Sequence, residues 1–158
     1  MDTSIPADIR IREALIGDLP FVLGVYKDAG ISARASLPLG RAVEIYNRML
    51  CYPSYRLFVA ERNSQIVGTF ALLIMDNLAH GGVPSGVVED VAVLQSFQRQ
   101  GVGREMMKYA IDVCRERGCY KMTLSTNVHR TGAHLFYESL GFARHGYSYL
   151  IELKTENT

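Results

Sequence analysis

Val91-Ala-Val-Leu-Gln-Ser-Phe-Gln98-Arg-Gln-Gly101-Val-Gly103-Arg104 runs from an apolar segment, through two spaced glycines, straight into a helical pattern. The segment Val87 to Leu94 reads as a strand, apolar throughout except for Glu89 and Asp90 in its middle. Gly101 to Arg117 reads as a helix. Its apolar stripe is Val102, Met106, Ala110, Val113 and Cys114, its polar stripe Arg104, Lys108, Asp112, Arg115 and Glu116, and Gly118 is a left-handed stop. A strand that ends in glycines at a helix start presents unbonded N–H groups and the positive end of the helix dipole, about half a unit charge. That is an anion site, and Gly101 and Gly103 allow a diphosphate close to the main chain. Arg99 and Arg104 are placed to add charge at its rim. The same glycines also suit a plain tight turn with close helix packing. Two nucleotide loops are excluded: no Lys-Ser or Lys-Thr follows Gly103, and Met106 stands where a dinucleotide fingerprint needs a third glycine.

Outward from this stretch, Ile9 to Glu13 alternates as a first strand. Asp18 is the expected cap of a helix starting at Leu19-Pro20 and ending near Gly30. Pro38 to Leu50 predicts a second helix, with Ala42, Ile45, Tyr46 and Met49 on one stripe. Tyr55 to Glu61 and Gln65 to Met75 predict two strands joined at Asn63-Ser64. Beyond the central helix come a strand over Tyr120 to Thr126, a helix over Thr131 to Leu140 ended by Gly141 with Phe142 folding back, and a closing strand over Tyr147 to Leu153. The order β-α-α-β-β-β-α-β-α-β mixes hairpins with one strand–helix–strand crossover. It predicts an α/β mixed sheet with helices on both faces, in a single domain over residues 1–158.

Composition narrows the function. The chain has 158 residues, 48% hydrophobic and 21% charged, enough to fold around a core of its own. A net charge of +1 argues against a nucleic-acid binder, which usually carries a basic face. Cys51, Cys114 and Cys119 cannot all pair and form no Cys-x-x-Cys, so reduced thiols are expected. His80, His129, His134 and His145 show no ligand spacing with them, and no metal is expected. The apolar run Ile66 to Met75 is far short of the roughly 20 residues that span a bilayer. The N-terminus shows no basic segment followed by an apolar one, so a cytoplasmic protein without membrane association is expected.

Several short motifs in order resemble the GNAT family of N-acetyltransferases. Gln98-x-x-Gly101-x-Gly103 fits that family's pyrophosphate loop, a few residues after Val91-Ala92-Val93. Downstream, Leu124-Ser-Thr-Asn127 and Ala133-His-Leu-Phe136-Tyr137 to Gly141-Phe142 fit its strand, Asn and helix motif. The resemblance covers residues 9 to 153 and is most specific from Glu89 to Phe142. It implies the GNAT fold, with a mostly antiparallel sheet splayed at the cofactor site, and acetyl-CoA as acyl donor. It implies that the main chain of Val91, Ala92 and Val93 pairs with the pantetheine arm as an added strand. It also implies that the loop Gln98, Arg99, Gln100, Gly101, Val102, Gly103 and Arg104 holds the pyrophosphate on its N–H groups. Asn127 would bond the pantetheine amides, Phe136 would lie near the thioester or the arm, and Tyr137 near its sulfur. Glu89-Asp-Val-Ala-Val with Gly118 to Leu124 is similar to the glucosamine-6-phosphate branch of the family.

The chemistry accounts for these residue types. An amine must lose a proton before it attacks a thioester, and the departing thiolate gains from receiving one. Tyr137 is the candidate donor, or else a core aromatic. Glu89 is the candidate base, directly or through water, since a carboxylate within an apolar strand has reason for a raised pKa; the alternative is a structural carboxylate. On an ideal strand Asp90 points to the opposite face, unless a bulge intervenes. The acceptor is expected against Tyr26 to Leu39 and Asp76 to Ser85, which with Arg41 offer Arg34, His80 and Asp76. Three functions follow: transfer to a small-molecule amine such as an amino sugar or amino acid, transfer to a protein or peptide amine, or acyl-CoA binding without catalysis. The resemblance further implies a homodimer, for which alternating Tyr147, Tyr149 and Ile151 are a candidate surface if they do not face the chain's own core.

Overall fold

The computed structural model describes residues 8–31 and 37–153. The chain divides into two compact units, Met1–Leu124 and Ser125–Thr158. The first holds a five-stranded sheet of β1 (Ile9–Glu13), β2 (Tyr55–Arg62), β3 (Gln65–Met75), β4 (Ser85–Val93) and β5 (Met122–Leu124), in that spatial order. It also holds α1 (Leu19–Asp28), α2 (Leu39–Cys51) and α3 (Val102–Glu116). The first four strands are antiparallel: α1 and α2 lie between β1 and β2, a tight turn joins β2 to β3, and the loop 76–84 joins β3 to β4. Asn63 and Ser64, at φ 50° and 62°, make the tight hairpin between β2 and β3. β5 runs parallel to β4 because α3 carries the chain back over the sheet.

Pleating sorts the two faces. Phe58 and Phe70 are register partners with rings stacked at 5.0 Å, and Tyr109 of α3 lies against Phe58 at 5.5 Å. Gly68 lies on this face: a Cβ there would stand 2.7 Å from the Met106 sulfur, so only glycine lets α3 come so near. Gly86 meets the Cys114 thiol in the same way. The intervening residues Leu57, Val59 and Ala71 point to the other face, into a cluster with Leu19, Val22, Val25 and Tyr46 of α1 and α2. Helices therefore cover both faces, as the alternation predicts.

Asp18 does not cap α1 as expected. Its backbone is already helical, and no side-chain bond reaches the helix start. The carboxylate instead accepts the Leu15 N–H at 2.7 Å and both Arg12 amino groups at 2.6 and 3.1 Å, while Arg12 also reaches Glu61 at 2.6 Å. A bidentate guanidinium outcompetes an end-of-helix amide for the same oxygens.

Two irregularities shape β4. Thr69 pairs with Ala92 but Ala71 with Glu89, so Asp90 and Val91 together oppose Phe70: a bulge, with Asp90 at φ 53°. In addition, β5 pairs with β4 only from Gly86 to Val88, and the expected strand over Tyr120 to Thr126 contracts to three residues. Past Val88 the second edge of β4 has no strand beside it among the described residues.

The second unit contains α4 (Thr131–Ser139). Gly141, at φ 89°, turns the chain back, the Phe142 N–H bonds the Tyr137 carbonyl at 3.1 Å, and the two rings meet edge-on at 5.7 Å. The closing strand expected over Tyr147 to Leu153 is absent, since residues 143–153 carry no regular secondary structure. Alternation gives these residues strand propensity but no partner, and an unpaired strand has nowhere to place its N–H and C=O groups. Tyr147, Tyr149 and Ile151 are 92%, 93% and 80% exposed, so they do not face the chain's own core.

Candidate functional site

Past β4, the turn Gln95–Phe97 is pinned to α1: the Gln95 N–H and side-chain amide bond the Asp28 carboxylate and carbonyl, each at 2.6 Å. Arg99 and Gly101 then adopt φ 58° and 87°, and α3 begins. The Glu105 N–H to the Gly101 carbonyl, at 3.0 Å, is the first bond into the helix. The N–H groups of Val102, Gly103 and Arg104 precede it and are the unpaired donors of a helix start. Arg99 and Arg104 are exposed beside them. The two glutamines brace the loop. The Gln98 side chain donates to the Val93 carbonyl at 3.2 Å. The Gln100 amide donates to the Ser96 carbonyl at 2.7 Å, and its oxygen accepts from Arg62 at 2.8 Å. Their side chains shape the cradle; the donors left over are main-chain groups.

The bulge alters the reading of the two carboxylates. Val87 and Glu89 face α1 and α2 by pleat parity, and the extra residue turns Asp90 to the same side. All three line one cavity of about 690 Å³ between those helices and β2 to β4. Burial raises the Glu89 pKa above the usual carboxylate range, and the neighbouring Asp90 charge raises it further. The opposite-face expectation for Asp90 therefore fails, for the reason that pleat parity breaks wherever a strand takes an extra residue. Tyr26, Tyr52 and Tyr55 line the same cavity, and burial raises the pKa of Tyr26 and Tyr55 with Asp90 adding to both.

Of the expected acceptor residues, Tyr26 and Leu37 line the cavity. Arg34 lies outside the described residues. Arg41 pairs with Glu44 at 2.5 Å, His80 stacks on Tyr120 at 4.6 Å, and neither they nor Asp76 line the cavity. Tyr52 and Tyr55 escaped the sequence reading because one follows a helix and the other starts a strand; only the fold joins them, rings edge-on at 6.0 Å.

In the second unit, Asn127 makes a turn: its side-chain oxygen accepts the His129 N–H at 2.9 Å, and its carbonyl meets the His134 ring at 2.9 Å. Phe136 and Tyr137 are adjacent on α4 with ring centres 5.1 Å apart. Burial raises the Tyr137 pKa, against the opposing charge of Arg130, so the phenol stays protonated at neutral pH. Cys114 is buried, with its thiol pushed up to about 12 by burial and then by Cys119, which removes it as a nucleophile. Among the described residues no three His, Cys, Asp or Glu side chains gather around a metal position, and no helix is long and apolar enough to cross a membrane.

The parts in the first unit fit a coenzyme A diphosphate and arm. The helix start offers unspent N–H donors behind a left-handed glycine, and past Val88 β4 offers an edge with no strand beside it among the described residues. A family model described as the acetyltransferase (GNAT) family matches residues 25–142. A glucosamine 6-phosphate N-acetyltransferase of Trypanosoma brucei brucei is 32% identical over 90 residues, 57% of this chain and 59% of that protein. N-alpha-acetyltransferase 30 of Schizosaccharomyces pombe is 30% identical over 88 residues, 56% of this chain and 57% of that protein. The chain thus spans less than two thirds of the length of these curated relatives. A solved chain from Agrobacterium tumefaciens str. C58, provisionally assigned as an acetyltransferase, superposes with TM-score 0.86 at 33% identity, covering 91% of this chain and 99% of that one.

Proposed function

The chain belongs to the GNAT family of acetyltransferases, and from that premise we propose that it transfers the acetyl group of acetyl-CoA to the primary amine of a small molecule, by direct attack with both substrates bound. The observation that carries the proposal is the junction of β4 and α3. A strand edge left open past Val88 leads within a few residues to a helix start with three unspent N–H donors. Those amides, together with the other main-chain N–H groups back to Arg99, hold the diphosphate, with the Arg99 and Arg104 side chains adding charge. The open edge at Val91 to Val93 takes the pantetheine amides; the Val93 carbonyl shares its lone pairs with Gln98. Asn127 and Phe136, which match the family's downstream motif, are assigned to the same arm.

Bound acetyl-CoA supplies an activated thioester, whose C–S bond breaks as the substrate nitrogen forms the C–N bond. Glu89 takes the proton the ammonium must lose; its raised pKa brings it nearer the operating pH and makes it a better base. Tyr137, held neutral by burial, gives a proton to the leaving sulfur. Residues 1–158 act as one transferase domain, in the cytoplasm and as a homodimer. The exposed apolar run from Tyr147 to Leu153 supports pairing of two copies.

The test is thiol release from acetyl-CoA across amines, amino acids, amino sugars and short peptides, with coenzyme affinity measured by calorimetry. Release with small amines and micromolar coenzyme binding support the proposal. Coenzyme binding without release for any amine would make this a binding module.

A further inference from the structure

We infer that the acceptor is an amine cation carried on an apolar, preferably aromatic, body, and that Asp90 is the group that selects it; this rests on the transferase reading above. The cavity between α1, α2 and the sheet is built for such a molecule. Its volume of about 690 Å³ suits a small organic ligand. Its walls are aliphatic side chains of α1, α2, β2 and β3, interrupted by the rings of Tyr26, Tyr52 and Tyr55. Among the described residues neither Glu89 nor Asp90, both on its β4 wall, forms an ion pair. Unpaired carboxylates beside aromatic faces attract an ammonium twice over, by charge and by the ring quadrupole.

The described lining carries two carboxylates, Glu89 and Asp90, and a single basic residue, Arg48, a balance that favours a cationic ligand. Glu89 and Asp90 divide the work. Glu89 sits in normal pleat register as the base, and the bulge brings Asp90 in as a second carboxylate that holds the ammonium before its proton leaves.

The experiment is calorimetric titration of 2-phenylethylamine, hexylamine, glucosamine 6-phosphate and an alanyl peptide into the protein saturated with coenzyme A, with thiol release measured in parallel. Asp90→Asn is the informative variant, because Asn tolerates the left-handed backbone at this position and the fold is kept. Expected are binding of 2-phenylethylamine ahead of the sugar phosphate and the peptide, and about tenfold weaker binding in Asp90→Asn, the loss of one charge-assisted contact. The KM of acetyl-CoA should not move. Binding without thiol release would sustain this inference while defeating the transferase reading. Thiol release that favours glucosamine 6-phosphate or the peptide, or an Asp90→Asn protein with unaltered amine affinity, would overturn the inference and leave the transferase reading standing.

Discussion

At the residue scale, protonation decides most. As the proposed base, Glu89 would work only when ionised, so kcat/KM should fall on the acid side through a midpoint raised above the ordinary Glu value by burial and then by Asp90. Glu89→Gln should lose roughly a hundredfold in turnover and flatten that limb in a pH–rate profile, with coenzyme affinity kept. Tyr137→Phe should also lose turnover, by about tenfold to a hundredfold, without loss of acetyl-CoA binding by calorimetry. Asp18 tests stability instead. Its folded pKa is depressed, first by the Arg12 hydrogen bonds, so its contribution is present above the unfolded value and vanishes as pH falls through the folded one. Asp18→Asn should cost about 2 kcal/mol in urea titrations at neutral pH, with a difference that shrinks in acid. Backbone placement was legible where the motif is local: Gly101 takes the left-handed turn that opens α3, and Tyr137 lies in the expected helix. Asp18 was misread because its partners, Arg12 and Glu61, belong to strands whose pairing no local pattern states.

At the element scale, two glycine contacts set how near α3 lies to the sheet. Gly86→Ala should destabilise the protein by about 1–3 kcal/mol, since the new methyl runs into the buried Cys114 thiol. Adding Cys114→Ala should restore much of the loss, a coupling that a double-mutant cycle of melting curves measures. Gly101→Ala acts on the other end of the same helix. At φ 87° an alanine is strained, so the KM of acetyl-CoA should rise several-fold while the helix itself persists in circular dichroism. Most elements were legible. β3 falls on its expected bounds because its apolar run and the Asn63-Ser64 turn agree, and α3 follows its stripe to within a residue at each end. The shortening of the strand over Tyr120 to Thr126 was not legible, since what limits β5 is where β4 bends away.

At the scale of the whole molecule, the order of elements predicted a mixed sheet clad on both faces, and hydropathy alone suffices for that because each face needs its own apolar set. The closing segment departs from its local pattern. Tyr147 to Leu153 alternates like a strand, yet strand formation is a property of two segments, and the sequence names only one. Replacing Tyr147, Tyr149 and Ile151 by Ser should leave the melting temperature nearly unchanged, because these side chains are exposed. It should shift the mass measured by light scattering from two chains to one. The bulge in β4 has a further consequence for how this chain tolerates change in length. Asp90 and Val91 occupy one rung of the ladder, so every residue beyond them is out of phase with those before. Deleting either would realign the sheet perfectly and ruin the protein, rotating the glycine cradle half a period away from its donor. Insertions or losses among the loops should be forgiven far more readily than the tidying of this one imperfection.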